Sequence, residues 1–235
     1  PLTVGGALVV ASTKPYDRTT TASITDSTQL TLVNVPAGDA GNASKVALTG
    51  LGASYSDKTV ATGKTVTLTA ASLTGTTSSN YTLSLTGSPT TTADITQKSL
   101  TVQMTASNKV YDQGTSATPA FTDNRIAGDS LTVSGTANFN NKNVGTAKTV
   151  TATGISLSGT DSANYTPNST ATTTANITAK TLAVTITASN KTYDGNTAAS
   201  VTYTDNRIAG DDFTASGTAT FASKTVATGK TVTRS

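Results

Sequence analysis

The chain contains no cysteine, histidine, glutamate or tryptophan, and all 13 of its acidic residues are aspartate. Without cysteine there is no disulfide framework. That fits a reducing cytosol, or an exported chain that stays free of crosslinks while it threads a secretion pore. Without histidine, cysteine and glutamate, the commonest general bases, the thiol nucleophile and most metal-ligand sets are excluded. A Ser-Lys pair or two aspartates could still act, but none stands out, so neither catalytic nor cofactor-binding residues are expected. Aromatic residues make up 5% and charged residues 12% of the chain. No apolar run approaches the roughly 20 residues of a membrane-spanning helix, so membrane insertion is not expected. No signal peptide is recognisable, and the chain reads as a segment of something longer.

Hydroxyl groups fill the space that these absences leave: 55 of 235 residues are Thr and 25 are Ser. Threonine is β-branched and suits a strand with one solvated face, so the bias points to exposed β-sheet. The net charge of +3 comes from 12 Lys and 4 Arg scattered along the chain. Nucleic-acid binding needs a concentrated basic face, and there is none.

The dominant pattern is repetition. Ala106-Ser107-Asn108-Lys109-Val110-Tyr111-Asp112 returns 82 residues later as Ala188-Ser189-Asn190-Lys191-Thr192-Tyr193-Asp194, with a weaker copy at Lys14-Pro15-Tyr16-Asp17. Asp123-Asn124-Arg125-Ile126-Ala127-Gly128-Asp129 returns as Asp205 to Asp211, and Asn80-Tyr81-Thr82 as Asn164-Tyr165-Thr166. Residues 98–151 and 180–233 share 33 identities over 54 gapless positions. A period near 82 exceeds the roughly 20–50 residues of solenoid coils and propeller blades, so each copy is a small domain. The divisions are 1–97, a divergent first copy; 98–179, a complete second copy; and 180–235, a shortened third copy. Residues 26–57 of the first copy are longer than their counterparts.

Within the second copy, Leu100, Val102 and Met104 alternate with Thr101, Gln103 and Thr105, the two-residue period of a half-buried strand. Further strands are expected at 118–122, 131–139, 149–157 and 170–178, separated by Gly, Asn and Asp turns. The expected fold is all-β: tandem antiparallel sandwiches of immunoglobulin-like type in an elongated rod, with a helix-poor β-grasp arrangement as the alternative. The junctions Asp94–Leu100 and Asn176–Leu182 pass between strands without Gly or Pro, which predicts stiff linkage. A strand of nine residues at ~3.3 Å each gives about 30 Å per unit. The third copy ends before its final strand, which predicts disorder or completion by a strand from another molecule, and hence a homo-oligomer. Arg234-Ser235 breaks the repeat and reads as a foreign tail.

Lys191-Thr192-Tyr193-Asp194-Gly195-Asn196-Thr197-Ala198, then Ala209-Gly210-Asp211, Ser216 to Phe221 and Lys224 to Thr233, resembles the YDG family of bacterial surface repeats. The second copy adds the downstream half, Leu157 to Tyr165 and the Thr-rich final strand. The resemblance covers nearly the whole chain and is weaker in the first copy, where Arg18 replaces the glycine after Tyr-Asp. It implies tandem arrays in secreted or surface-attached bacterial proteins, similar to filamentous-haemagglutinin adhesins exported by two-partner secretion. Such repeats are stalk or spacer modules in cell adhesion or biofilm, and no catalytic residue comes with them. The alternatives are a module that itself binds glycan or host protein, and a self-assembling extracellular matrix or filament protein.

Several residues invite a functional reading. Asp17, Asp112 and Asp194 follow the motif tyrosines, where a carboxylate can accept from backbone N–H groups two residues on, with the ring covering the core edge; turn chemistry outweighs a ligand-contacting tip. Asp123, Asp129, Asp205, Asp211 and Asp212 are the only candidates for calcium, which takes six to eight oxygens, and only the last two are adjacent. No metal-binding residue or cofactor is therefore expected, with calcium at these aspartates kept as the minor alternative. The alternating run Thr65, Thr67, Thr69 resembles an ice-binding face but recurs too rarely to build one. Six Asn-x-Ser/Thr sequons begin at Asn42, Asn80, Asn164, Asn168, Asn176 and Asn190, about the number that composition alone predicts. Lys-Asn or Lys-Asp isopeptide crosslinks are a further, remote option.

Overall fold

The computed structural model describes residues 1–234; Ser235, half of the foreign-tail expectation, lies outside the described residues. About 51% of the chain is strand and 3% helix, so the fold is all-β. Among the described residues, helix is confined to single 3₁₀ turns at Ser78–Asn80 and Ser162–Asn164, each ending on the Asn of the Asn-Tyr-Thr motif.

In the first copy a five-stranded sheet runs in the spatial order Thr13–Pro15, Thr90–Thr96, Ala61–Thr74, Ala47–Tyr55, Thr21–Ala22. The second copy repeats that order with Lys109–Val110, Thr170–Thr178, Gly145–Ser158, Thr132–Phe139, Ser116–Ala117. Facing the first sheet is a three-stranded one, ordered Leu30–Val33, Leu2–Gly6, Leu83–Ser84. Val4 and Leu30 from one layer share a core cluster with Tyr55, Val66, Leu68 and Ile95 from the other, and Leu8, just after the Leu2–Gly6 strand, joins it. Two β layers enclosing one apolar core is the arrangement that period-2 patterning dictates. Thr65, Thr67 and Thr69 point outward between buried Val66 and Leu68, as solvated strand faces should.

Most pairings are antiparallel. The exceptions are short: Thr13–Pro15 with Asp94–Thr96, Lys109–Val110 with Ile177–Thr178, Leu2–Thr3 with Leu83–Ser84, and Lys98–Leu100 with Tyr165–Pro167. In the first two the segment preceding the Tyr-Asp motif lies beside the last strand of its own copy. The predicted strand at Ser99–Thr105 is split. Lys98–Leu100 pairs in parallel with Tyr165–Pro167, while Val102–Ala106 pairs with Pro119–Asp123. At the break, the Thr101 N–H donates to Asn124 Oδ1 at 2.8 Å.

The first junction passes from strand to strand across Gln97 alone. The second does not: after Thr178, residues 179–183 adopt no regular structure before the Val184–Ala188 strand. Lys98–Leu100 is a strand because Tyr165–Pro167 lies beside it; Lys180–Leu182 pairs with no such segment. In the third copy Val184–Ala188 pairs with Val201–Asp205, and Ala219–Phe221 with Val232–Arg234. Several apolar side chains there are exposed where their second-copy counterparts are buried: Leu182 is 41% exposed and Leu100 2%.

By contacts the chain forms two compact units. One holds Pro1–Thr105, Pro119–Thr136 and Ala152–Thr172; the other holds Ala106–Thr118, Ala137–Thr151 and Thr173–Ser235. Each unit contains one join between successive copies.

Candidate functional site: the joint between repeats

The Tyr-Asp motif folds the same way three times. Lys14, Lys109 and Lys191 each place Nζ 2.7–2.8 Å from the carboxylate three residues on, Asp17, Asp112 and Asp194. Each ammonium also donates to carbonyls of the following turn, as Lys109 does to Gly114 O and Ser116 O. It sits 5.6–5.9 Å from an aromatic ring centroid, of Tyr55, Phe139 and Phe221 respectively. The aspartates accept the expected N–H two residues on, from Thr19, Gly114 and Asn196. Lys109 and Lys191 hold the Asp112 and Asp194 carboxyls below the usual carboxylate range. These three aspartates are therefore turn residues.

The tyrosines do something the sequence did not announce. The Tyr16 hydroxyl donates to Oδ1 of Asp129 in the next copy, at 3.2 Å. The Tyr165 hydroxyl donates to the other oxygen at 2.6 Å and accepts the Ile126 N–H at 3.0 Å. The two rings meet edge to face, 5.6 Å apart at 76°. Asp129 has a fully buried side chain, and Arg18 Nε completes its shell at 3.1 Å. The Arg18 guanidinium also donates to the carbonyls of Ala127, at 2.6 Å, and Gly128, at 3.0 Å. Burial, then the Asp129 bond, raises the Tyr165 pKa to about 12 and pushes Tyr16 higher still, since a phenolate beside a buried carboxylate is penalised twice. Asn164 seals the edge by accepting the Val60 N–H at 3.0 Å.

The next joint uses the same residues. Tyr111 OH and Gln113 Nε2 both donate to Asp211 Oδ1 at 2.7 Å. The rule is that the motif tyrosine of one copy binds the Ala-Gly-Asp aspartate of the following copy.

The position after Tyr-Asp has a left-handed backbone in every copy: φ is 68° at Arg18, 66° at Gln113 and 79° at Gly195. Glycine suits that conformation. Arg18 and Gln113 occupy it despite their side chains, and both reach across to the next copy's aspartate. Gly128 is needed for the same approach: a Cβ there would lie 2.1 Å from Arg18 Nη1.

The structure disperses the other candidate sites. Asp123 and Asp205 pair with Arg125 and Arg207, whose guanidiniums also donate to the carbonyls of Leu131 and Phe213. Among the described residues, no group of three or more His, Cys, Asp or Glu is placed to hold a metal ion. Three sequon asparagines are spent within the fold: Asn164 at the joint, Asn168 on Val102 N–H, and Asn176 on Ala147 N–H. The Lys-Asn and Lys-Asp options appear as hydrogen-bonded pairs in hairpins, Lys148 with Asn141 and Lys64 with Asp57, each at 2.6 Å.

Tandem all-β copies joined by their own signature residues define a repeat-array protein. A family model for the YDG domain matches residues 1–92, 96–175 and 178–235, so the chain belongs to the YDG domain family. No curated protein and no solved structure matches it.

Proposed function

We infer that this is a non-catalytic stalk or spacer segment of a bacterial adhesin, carried on the cell surface or secreted. The observation that supports the reading is the double use of the motif, Tyr16 on Asp129 and Tyr111 on Asp211. The residues that recur most faithfully are spent on holding copies together, as a module selected for reach would spend them. The expected setting is extracellular, with neighbouring repeats as the standing partners. Small-angle scattering tests it. In-frame deletion of residues 98–179 should shorten the maximum dimension by roughly 40 Å, the span of a strand of 12 to 14 residues at ~3.3 Å each. An unchanged dimension overturns the spacer reading.

A second reading rests on the divergent first copy. Its longer segment forms a groove of about 690 Å³ lined by Leu30, Leu32, Val33, Asp39, Asn42 and Val46, for which the other copies have no equivalent segment. A glycan or host-protein surface could seat there. Saturable binding of the intact chain on a glycan array would favour this reading over a bare spacer.

A further inference from the structure

The first copy has a joint aspartate of its own and fills it from within. Ala37-Gly38-Asp39 is the tripeptide of Ala127-Gly128-Asp129 and Ala209-Gly210-Asp211. The Tyr81 hydroxyl donates to Asp39 Oδ2 at 2.7 Å, as the Tyr165 hydroxyl donates to Asp129 Oδ2 at 2.6 Å. Asp39 is therefore the equivalent acceptor, and the difference lies at its other oxygen. Asp129 Oδ1 takes Tyr16 and Arg18 from the copy before, and Asp211 Oδ1 takes Tyr111 and Gln113. Asp39 Oδ1 instead takes Lys45 Nζ, from its own copy, at 3.2 Å. The same ammonium donates to Gly38 O at 2.6 Å, as Arg18 Nη2 donates to Gly128 O at 3.0 Å. One lysine repeats from inside the copy two contacts that Arg18 makes from outside.

The lysine reaches that place through an insertion. In the second copy Ser130 directly follows Asp129, and its carbonyl accepts the Asp161 N–H at 3.1 Å. In the first copy the equivalent carbonyl, accepting the Thr77 N–H at 2.9 Å, belongs to Lys45, so residues 40–44 have no counterpart. That segment closes on itself. The N–H groups of Asp39 and Ala40 donate to Pro36 O at 2.9 and 3.0 Å, and those of Lys45 and Val46 donate to Asn42 O at 3.0 and 3.2 Å. Two successive turns thus return Lys45 to the side of Asp39. The residue before the aspartate has changed with them: φ is 90° at Gly128 and 97° at Gly210, whereas Gly38 is not left-handed. The backbone geometry that receives Arg18 at Gly128 is absent from the first copy.

We propose that residues 40–45 are a built-in end cap: they close the first copy's acceptor from within, so that a YDG copy placed in front cannot join through Asp39. A carboxylate shielded from water is stable only when donors fill its acceptor sites, and Lys45 supplies the charged donor that the other copies draw from a neighbour. Closure of this kind suits a terminal unit, because a repeat whose joint face stays unfilled leaves polar groups and apolar surface without partners. Such a cap serves a stalk and a filament alike.

The test uses the intact chain and a lengthened one, in which residues 98–180 are joined in front of Pro1 so that Lys180 leads into Pro1-Leu2 as it leads into Thr181-Leu182. In the intact chain Lys45→Met should lower the melting temperature by about 2–4 °C, the shift of one lost charged contact in a chain of this size. Lys45→Arg should restore it, since a guanidinium serves the same acceptors at Asp129. In the lengthened chain Tyr111→Phe in the added copy should leave the melting temperature unchanged, while Tyr16→Phe lowers it. Deleting residues 40–44 together with Lys45→Ser should make the added tyrosine count, so that its Tyr111→Phe then costs as much as Tyr16→Phe. Where the deletion prevents folding, Lys45→Ser alone opens Asp39 Oδ1 and gives the same reading. An unchanged melting temperature for Lys45→Met overturns the proposal. So does an added-copy Tyr111→Phe as costly as Tyr16→Phe while Lys45 and the insertion are in place.

Discussion

The Tyr16 hydroxyl donates to Asp129 Oδ1 across 113 residues, and the carboxylate it meets has no solvent-exposed side-chain surface. A buried carboxylate is tolerable only when its acceptor sites are filled by good donors, and here two phenols and a guanidinium supply them. The joint is thus an ordered polar core shared by two copies.

Asp129→Ala would leave two buried phenols without an acceptor and Arg18 without its counter-charge. A loss of about 3–5 kcal/mol is expected, as for breaking a buried charged network by removing one partner. Asp211→Ala, at the less buried second joint, should cost less. Urea unfolding of the two variants beside the parent measures the difference.

Arg18→Gly and Gln113→Gly relieve the same left-handed strain, worth about 1 kcal/mol. They differ in what is lost. Arg18 makes a salt bridge to buried Asp129 and two carbonyl bonds, so its replacement should be destabilising by about 1–3 kcal/mol. Gln113 makes one bond to a half-buried carboxylate, and its replacement should be close to neutral. Equal effects would show that the side chains do not clamp the joint.

Tyr16 and Tyr165 make stability fall in alkali. Their folded pKa values lie above the unfolded value near 10, so between about pH 10 and 12 the unfolded chain has lost protons that the folded chain keeps. The stabilisation is fully present below pH 10 and is lost as pH rises through the folded value near 12 for Tyr165. Absorbance of phenolate against pH should show these two of the seven tyrosines ionising last, together with unfolding.

Lys109→Met keeps the aliphatic stem over Phe139 and removes three ammonium contacts, to Asp112, Gly114 O and Ser116 O. The expected cost is about 2 kcal/mol, in the range of hydrogen bonds to a charged group. The effect should shrink below about pH 4, because protonating Asp112, whose carboxyl is held low by Lys109, removes part of the same interaction in the parent. Melting temperatures at pH 7 and pH 3 test both statements.

Much of the fold was legible from local pattern. The alternation of Leu100, Val102 and Met104 showed which face is buried, and the Thr170–Thr178 strand lies where the sequence placed it. The turn role of Asp17, Asp112 and Asp194 was equally readable, because an aspartate bonding two residues ahead is a local event. The two-residue edge strands were not readable. Lys109–Val110 is a strand only because Ile177–Thr178 lies beside it. The split at Thr101 escaped for the same reason, since alternation continues through it while the pairing partner changes.

From sequence alone came the number of copies, their all-β character and the poverty of groups for catalysis, because composition and periodicity act residue by residue. The sequence also marked Tyr16, Tyr111, Asp129 and Asp211 as repeating, but gave no partner to any of them. Only the tertiary structure matched each tyrosine to the aspartate of the following copy and buried Asp129 between two phenols. That choice depends on which surfaces meet after the sheets have formed, and a bond spanning 113 residues leaves no periodic trace in the chain.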